Sequence, residues 1–204
     1  PSIGKYEENS SNFYDIYKNI YIGDHNDSKI YLGGGGQFGH GNTNTLSRSV
    51  YSCGGNSYGA LGHGNTNNDY DLPTTIDALN GSNIVAISAG YHSLFLDEDR
   101  KVYSCGQNSY GGLGHGNTNN DYDLPTKIDA LNGSNIVAIS TGVTHSLFLD
   151  ENGNVYSCGW NRYGELGHGN TNNDYDLPTT IDALNGSNIV AISAGGYHSL
   201  FLDE

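Results

Sequence analysis

The sequence contains no methionine and a single tryptophan, and only eight of its 204 residues are lysine or arginine. Aspartate and glutamate number 22, so the formal net charge is −14. A chain with so few cations, and no basic stripe, is repelled by phosphate groups, which argues against direct nucleic-acid binding and against docking on anionic membranes. The charge suits a basic protein partner, and it would equally serve to keep a β protein soluble.

Long apolar runs are also missing, and no stretch approaches the roughly 20 residues that a membrane-spanning helix needs. We therefore expect no membrane association. The sequence starts at Pro1, with neither an initiator methionine nor a signal peptide, so we expect its natural N-terminus to lie upstream. Its three cysteines form no CxxC pair, and their odd number favours a reducing compartment, which predicts the cytoplasm or the nucleus.

Repetition dominates the rest of the sequence. The segment LGHGNTNNDYDLPTTIDALNGSNIVAIS at residues 61–88 returns at residue 113 with one change and at residue 166 with none. The cysteines, the last three LGHGN-type histidines and the last three prolines each recur after 52 and then 53 residues. The added residue falls in a glycine-containing turn, which tolerates an insertion better than a strand does. A period of this length predicts a repeat fold.

Four short extended segments fill one period. IVAIS (84–88) is an almost continuous apolar run, which predicts a strand buried on both faces. HSLFL (92–96) follows after a turn, and KVYSC (101–105) follows across a hairpin that is marked in the next copy by an Asn-Gly pair. LPTTI (72–76) contains proline, which lacks a donor N–H and therefore favours an outer edge. Four antiparallel strands, the most apolar innermost and the proline strand outermost, describe a β-propeller blade.

Two recurring segments resemble a known family. CGGNSYGALGHGN (53–65) and its two copies are similar to the G-x-N-x-x-G-x-L-G-x-G signature of the regulator-of-chromosome-condensation repeat, and IVAISAGYHSLFLDEDRKVYSCG (84–106) resembles the element that follows it. The resemblance covers residues 50–204 and implies an all-β fold, a seven-bladed β-propeller. Cys53, Cys105 and Cys158 stand where that family usually has tryptophan, which implies looser or differently filled contacts between blades.

The first 49 residues read as a degenerate portion of a blade, and residues 50–204 as three near-identical repeats of one incomplete propeller. Residues 19–44 align with a hairpin followed by GHGNTN, but most of the next repeat is absent. The expected total is about fourteen strands, or three and a half blades. Open blade edges invite pairing. We expect the remainder of a longer chain, a second copy, or an open curved array, in that order.

One set of residues is a candidate partner-binding site. The repeated NTNNDYD segment places two aspartates in each copy on one part of the predicted rim. These are Asp69, Asp71, Asp121, Asp123, Asp174 and Asp176. The segment lacks the fixed glycine and the bidentate glutamate of a calcium-binding EF-hand, and asparagine and aspartate are ordinary turn formers. We therefore predict an acidic rim for a basic partner rather than a metal site.

The other repeated polar residues are predicted to be structural. The recurring histidines are His40, His63, His115 and His168 in the GHGN segments and His92, His145 and His198 in the HSLFL segments. Equivalent points on neighbouring blades diverge, so we expect each histidine to cap a turn or bind a backbone carbonyl. The cysteines read as packing residues or free thiols, and the NGS sequons at Asn80, Asn132 and Asn185 as turns. We predict no catalytic, cofactor-binding or metal-binding residues.

These patterns predict a non-enzymatic protein-interaction or structural β-propeller. Near-identical copies argue against an enzyme site, which usually requires one blade to differ. The family resemblance implies an alternative, guanine-nucleotide exchange on a small GTPase with association to chromatin. That activity would need an inserted wedge, and no insertion is visible between the repeats. A second alternative, suggested by the bias towards asparagine, tyrosine and isoleucine, is a virion or assembly component.

Overall fold

A computed structural model describes residues 48–204, which lie within one compact unit, Ser47–Glu204. The prediction of a degenerate blade at residues 1–49 falls almost entirely outside the described residues. The strands are β1 Tyr51–Gly54, β2 Tyr70–Thr75, β3 Ile84–Ala89, β4 His92–Asp97, β5 Val102–Gly106, β6 Tyr122–Lys127, β7 Ile136–Thr141, β8 His145–Asp150, β9 Val155–Gly159, β10 Tyr175–Thr180, β11 Ile189–Ala194 and β12 Ser199–Asp203. Three short 3₁₀ helices, Asp77–Leu79, Asp129–Leu131 and Asp182–Leu184, follow the proline strands. Over residues 48–204 no helix reaches the length and apolar character that a bilayer crossing requires.

The strands form two complete antiparallel blades and two half-blades. The complete blades have the strand orders β3-β4-β5-β6 and β7-β8-β9-β10. β1 pairs with β2, the two outer strands of a blade, and β11 pairs with β12, the two inner strands. The all-β propeller prediction is therefore confirmed, including its strand order: the IVAIS strand is innermost and the proline strand is outermost.

Each sequence repeat contributes to two blades. The repeat that begins with β5 supplies the outer strands β5 and β6 of one blade and the inner strands β7 and β8 of the next. A 3₁₀ helix joins the outer strand of the first blade to the inner strand of its neighbour. Because the chain crosses between blades inside each repeat, adjacent blades are tied together covalently as well as by packing.

The second strand of each complete blade, not the first, carries the core. Leu94, Phe95 and Leu96 of β4 are all buried, and every residue of β8 is buried. In the innermost strand only alternate positions are covered: Ile84 is buried, whereas Val85 is 42% exposed. The prediction that IVAIS is buried on both faces was wrong. The innermost strand pairs on one side only, and one of its faces stays accessible, whereas β4 and β8 each lie between two strands.

Blades also share a hydrophobic core. Leu94 and Val102 of one complete blade pack in the same cluster as Phe148 and Cys158 of the next. Cys105 is likewise fully buried, and its Sγ lies 3.4 Å from the carbonyl oxygen of Ala60 in the preceding repeat. Cys105 and Cys158 therefore pack tightly against the loop of the preceding repeat. The small side chain lets that loop approach closely. The loop therefore occupies the space between the blades, and the packing there is different rather than looser.

Candidate functional site

The blades have two unlike ends. One end carries the long connections 55–69, 107–121 and 160–174, together with the short turns between the two inner strands; we call it the loop face. The opposite end carries the tight hairpins 98–101 and 151–154 and the 3₁₀ helices, and we call it the hairpin face. Strands β5 and β9 run from the hairpin face to the loop face. All six aspartates of the predicted rim therefore lie at or near the loop face.

A buried asparagine organises each long connection. The side chain of Asn108 donates to the backbone carbonyl of Asn117 at 2.9 Å and accepts from the backbone N–H of Leu113 at 3.3 Å. Asn56 and Asn161 make the same pair of contacts in their own loops. Each asparagine is almost completely buried, so these hydrogen bonds replace water for groups within the loop. This asparagine is the N of the G-x-N signature, so the pattern contained it, although its role was not inferred from sequence.

The first aspartate of each predicted pair closes the same loop. Asp69 Oδ1 accepts a hydrogen bond from the backbone N–H of Asn56 at 2.8 Å. Asp121 and Asp174 repeat the contact at 2.8 and 2.9 Å. These three aspartates are nevertheless exposed. Each carboxylate therefore holds its loop and faces solvent at the same time. The negative charge is thus displayed at a fixed position in every copy.

The second aspartate lies at the junction between repeats. The backbone carbonyl of Asp123 accepts from the N–H of Gly64 in the preceding repeat at 2.8 Å, and Asp176 does the same for Gly116. Asp123 and Asp176 are half-buried as a result, whereas Asp71 is exposed. The predicted rim is therefore a row of exposed loop carboxylates with a second row set partly between blades.

Cations are segregated from the loop face. Five lysines and arginines lie in the described residues, and Arg162 is the one on a loop-face connection. The ion pairs found among residues 48–204 all lie at the hairpin face, where Arg100 pairs with Glu151, Lys101 with Asp99, and Lys127 with Asp129. Carboxylates on the hairpin face are therefore partly neutralised, while those of the loop face are not.

Five of the six histidines among the described residues lie within hydrogen-bond distance of serine hydroxyls rather than of the predicted backbone carbonyls, and His40 lies outside the described residues. His63 Nε2 lies 2.9 Å from Ser52 Oγ, and the same pair recurs in the next two copies. The serine hydroxyl donates to a backbone carbonyl, that of Leu61 in the first copy. The hydroxyl has one proton to give, so the histidine Nε2–H must be the donor to the serine. Serine therefore relays the interaction that histidine was expected to make directly.

The structure also shows where the candidate metal ligands and the cysteines lie in the described part of the chain. No three His, Cys, Asp or Glu side chains converge there in a way that could hold an ion. Cys105 and Cys158 are buried free thiols, and burial raises the pKa of Cys105 to about 12. The NGS segments follow the 3₁₀ helices as exposed turns, in which Asn80 Nδ2 donates to Asp77 Oδ1.

An aromatic cluster on the loop face was missed by the sequence reasoning. Trp160 lies with its ring centroid 5.6 Å from Tyr110 of the preceding loop, 5.6 Å from Tyr163 and 5.5 Å from Tyr197. Tyr110, Tyr163 and Tyr197 are 38%, 65% and 54% exposed. Trp160 is the single tryptophan noted in the sequence, but its partners come from three separate segments, so the cluster could not be assembled from spacing.

A buried carboxylate is hydrogen-bonded to the backbone of this cluster. Glu165 is 3% exposed, and its Oε2 accepts a hydrogen bond from the backbone N–H of Tyr163 at 2.7 Å. Its Oε1 is buried with no hydrogen-bond partner. At the equivalent positions the earlier copies have Ala60 and Gly112. The third loop is therefore chemically distinct from its two relatives.

The repeats match those of a known protein family. The profile of the regulator of chromosome condensation (RCC1) repeat matches residues 49–96, 99–149 and 152–202. The chain belongs to the RCC1-repeat family. The three matched segments correspond to the units that link neighbouring blades, each with two outer strands followed by two inner ones.

Curated relatives with RCC1-type similarity are much longer than this chain. The ultraviolet-B receptor UVR8 of Arabidopsis thaliana is 36% identical over 159 residues, covering 78% of this chain and 36% of the receptor. The human E3 ubiquitin-protein ligase HERC2 is 34% identical over 167 residues, covering 79% of this chain and 3% of the ligase. The chain therefore spans little more than a third of the first of these proteins and a small part of the second. The match to HERC2 does not carry the ligase activity to this chain.

A solved structure supports the fold. Prp20p of Saccharomyces cerevisiae superimposes with a TM-score of 0.66 at 27% identity, over 75% of this chain and 39% of that protein. The published description of that structure concerns binding of Prp20p to Gsp1p and to histones. A protein similar to this chain is thus described as binding other proteins.

Proposed function

We propose that this chain is a non-enzymatic interaction module whose loop face binds a basic segment of a protein partner. The observation that carries the proposal is the regular placement of carboxylates on the loop face. Carboxylates recur at one position of each loop, at Asp69, Asp121 and Asp174, and none of the ion pairs among residues 48–204 involves them. A surface with fixed, uncompensated negative charge attracts cations over several ångströms before contact.

The regular repeat determines what such a surface recognises best. Each of the three carboxylates is held by the same hydrogen bond to a loop N–H, so the charges are presented in the same orientation from successive blades. Exposed charge pairs contribute little singly, and several together are needed for useful affinity. We therefore propose an extended basic segment that contacts more than one blade, and binding that weakens as salt concentration rises.

Histones are a suitable basic probe, because they are named as partners of the similar propeller Prp20p. The test measures binding of the full chain to labelled core histones, free of DNA, at low and at physiological salt. The loop-face variant carries Asp69→Asn, Asp121→Asn and Asp174→Asn. Asparagine retains an acceptor oxygen for the loop N–H, so the substitution removes charge while preserving the loop contact.

The matched control removes the same charge from the opposite end. Asp77→Asn, Asp129→Asn and Asp182→Asn change three exposed residues at equivalent positions of the hairpin face. We expect the loop-face variant to lose roughly tenfold in affinity, at about 0.5 kcal/mol for each exposed charge, and the control to stay within twofold. Equal losses in both variants would mean that net charge alone attracts the histones, and the proposal would then be wrong.

Nucleotide exchange on a small GTPase remains an alternative, as the family resemblance implies. The three long connections 55–69, 107–121 and 160–174 have equal lengths, so none of them holds an inserted wedge of the kind that exchange would require. Acceleration of GDP release from a GTPase by the chain would favour exchange over the proposed role. Residence in the cytoplasm or nucleus, and the virion alternative, also remain predictions, which localisation of the tagged protein would test.

A further inference from the structure

The third loop differs from its two relatives at three neighbouring positions. Trp160 replaces Gly55 and Gln107, Arg162 replaces Ser57 and Ser109, and Glu165 replaces Ala60 and Gly112. Elsewhere the copies are nearly identical, so the differences are concentrated in the region of the loop face that holds the aromatic cluster of Tyr110, Trp160, Tyr163 and Tyr197. Two of the three changes add an aromatic ring and a carboxylate to the same small region.

The aromatic cluster is a surface feature rather than part of the core. Trp160, Tyr163 and Tyr197 contact one another edge to face, with interplanar angles between 69° and 79°. Two of these rings are more than half exposed. The first repeat has the corresponding pair Tyr58 and Tyr91 at 6.3 Å but has glycine in place of the tryptophan. Exposed aromatic clusters of this kind are typical of binding surfaces.

The carboxylate of Glu165 indicates which chemical group the cluster would receive. One oxygen accepts a hydrogen bond from the backbone N–H of Tyr163, a member of the cluster, and the other is buried without a partner. A buried carboxylate oxygen that lacks a donor is costly, and it is satisfied best by a cationic donor. Aromatic ring faces likewise attract ammonium and guanidinium groups. Both features favour the same ligand, an organic cation.

The chain's own arginine does not occupy this position. Arg162 lies in the same loop and is exposed, and it is not part of any of the ion pairs found among residues 48–204. The position of Glu165 can be judged from its counterpart in the preceding repeat. A Cβ added to Gly112 would lie 2.9 Å from the carbonyl oxygen of Thr144 and 3.5 Å from Cε1 of His92, and the residues that correspond to these in the next repeat are Tyr197 and His145.

We propose that Trp160, Tyr163, Tyr197 and Glu165 form a binding site for one Lys or Arg side chain of the partner. The cation lies against the aromatic faces and donates to the carboxylate, while its aliphatic stem covers the exposed rings. This inference rests on the proposed function, because it places a specific anchor within the surface that faces a basic segment. The row of loop aspartates attracts the segment, and the aromatic site fixes one residue of it.

The single tryptophan makes the site directly observable. Trp160 is the one tryptophan in the chain, so its fluorescence reports on this cluster and on no other region. The probe is a dye-labelled nine-residue peptide of alternating glycine and arginine, measured by anisotropy of the dye, and the unlabelled peptide is measured by Trp160 emission. A lysine peptide of the same pattern compares ammonium with guanidinium. A citrulline peptide, which is similar in shape to the arginine peptide but neutral, tests whether charge is required.

The variants restore residues that the chain already uses elsewhere. Trp160→Gln introduces the residue found at position 107, and Glu165→Ala the residue found at position 60, so each loop should still fold. We expect either substitution to weaken binding of the arginine peptide at least fivefold. We expect the citrulline peptide to bind the unmodified chain at least tenfold more weakly than the arginine peptide does. Tyr58 of the first repeat corresponds to Tyr163, and Tyr58→Ser should leave affinity within twofold. Arg162→Ser should raise affinity about twofold, because it removes a like charge.

The outcomes separate this inference from the proposed function. If the loop-face aspartate variant loses affinity for the arginine peptide and the Trp160→Gln and Glu165→Ala variants do not, the acidic surface stands and the aromatic site is wrong. If the two loop variants lose affinity and the aspartate variant does not, the aromatic site stands without the acidic surface. Equal binding of the arginine and citrulline peptides would overturn the cation site, since apolar contact alone would then explain it.

Discussion

His92 Nε2 lies 2.7 Å from Ser146 Oγ, which belongs to the inner part of the next blade. The serine hydroxyl donates to the carbonyl of Gly112 at 2.7 Å, so the imidazole N–H is the donor to the serine. His145 repeats the contact with Ser199 at 3.0 Å. One buried side chain from each blade is thereby hydrogen-bonded to its neighbour, and blade-to-blade packing depends on a polar contact as well as on apolar area.

Replacing His92 with alanine should destabilise the protein by about 2–3 kcal/mol. The change removes a fully buried ring and leaves both a cavity and a lost hydrogen bond. Urea unfolding followed by far-ultraviolet circular dichroism measures the loss. His198→Ala is the matched control, because His198 holds the equivalent position in the last repeat but is exposed; it should cost no more than about 0.5 kcal/mol. Equal losses would contradict a specific role for the contact between blades.

Stability should fall as the pH drops from about 6.5 to about 4. Burial, reinforced by the charge of His145, lowers the pKa of His92 from 6.5 to about 4, and burial followed by the charge of His198 lowers the pKa of His145 similarly. Between these pH values the unfolded chain binds more protons than the folded one, so protonation favours unfolding. Above pH 6.5 the contribution is fully present. The measurement is the urea midpoint at a series of pH values.

The matched variant for this pH dependence is His92→Gln combined with His145→Gln. Glutamine retains an amide donor for the serine but does not titrate, so the decline between pH 6.5 and 4.5 should be smaller than in the unmodified chain. The aspartates and glutamates are the same in both proteins, so their contribution cancels in the comparison. Parallel pH curves for the two proteins would show that the buried histidines are not responsible.

Gly111→Ala should be much more damaging than Gly133→Ala. Both residues have φ near +80°, so an added side chain carries the same backbone strain, about 1 kcal/mol. A Cβ at Gly111 would lie 2.5 Å from the Cα of Asp176 in the next repeat, whereas one at Gly133 meets nothing within 4 Å. We expect Gly111→Ala to cost about 3 kcal/mol because the neighbouring strand must move. Similar urea midpoints for the two variants would refute close blade contact at Gly111.

The three cysteines should differ sharply in reactivity. Cys53 is exposed, whereas Cys105 and Cys158 are buried and burial raises the pKa of both thiols. Only the thiolate reacts readily. At pH 8 we expect iodoacetamide to label Cys53 at least a hundredfold faster than the other two, as measured by mass spectrometry of peptides. Denaturant should equalise the rates, and fast labelling of Cys105 in the native protein would contradict the packing described.

Much of the fold followed from local pattern. The period of 52 and 53 residues, the hairpin marked by Asn152-Gly153 and the proline at the start of LPTTI predicted the strands and their order within a blade, and these predictions are confirmed. The burial of IVAIS on both faces was predicted wrongly, because an apolar run does not reveal whether its second face has a neighbour. The acidic rim was predicted from a repeated pattern, and its function stays a prediction that the histone experiment tests.

The sequence by itself determined the strands and turns, which lie within about fifteen residues along the chain and depend on nearby residue types. The tertiary structure alone decided which side chains meet across repeats. His92 reaches Ser146, Trp160 meets Tyr110 and Tyr197, and Glu165 binds the backbone N–H of Tyr163. The first three contacts join residues 37–54 positions apart, and the last matters because its residues belong to the same cluster. They arise from the rotation between blades, which no local pattern encodes.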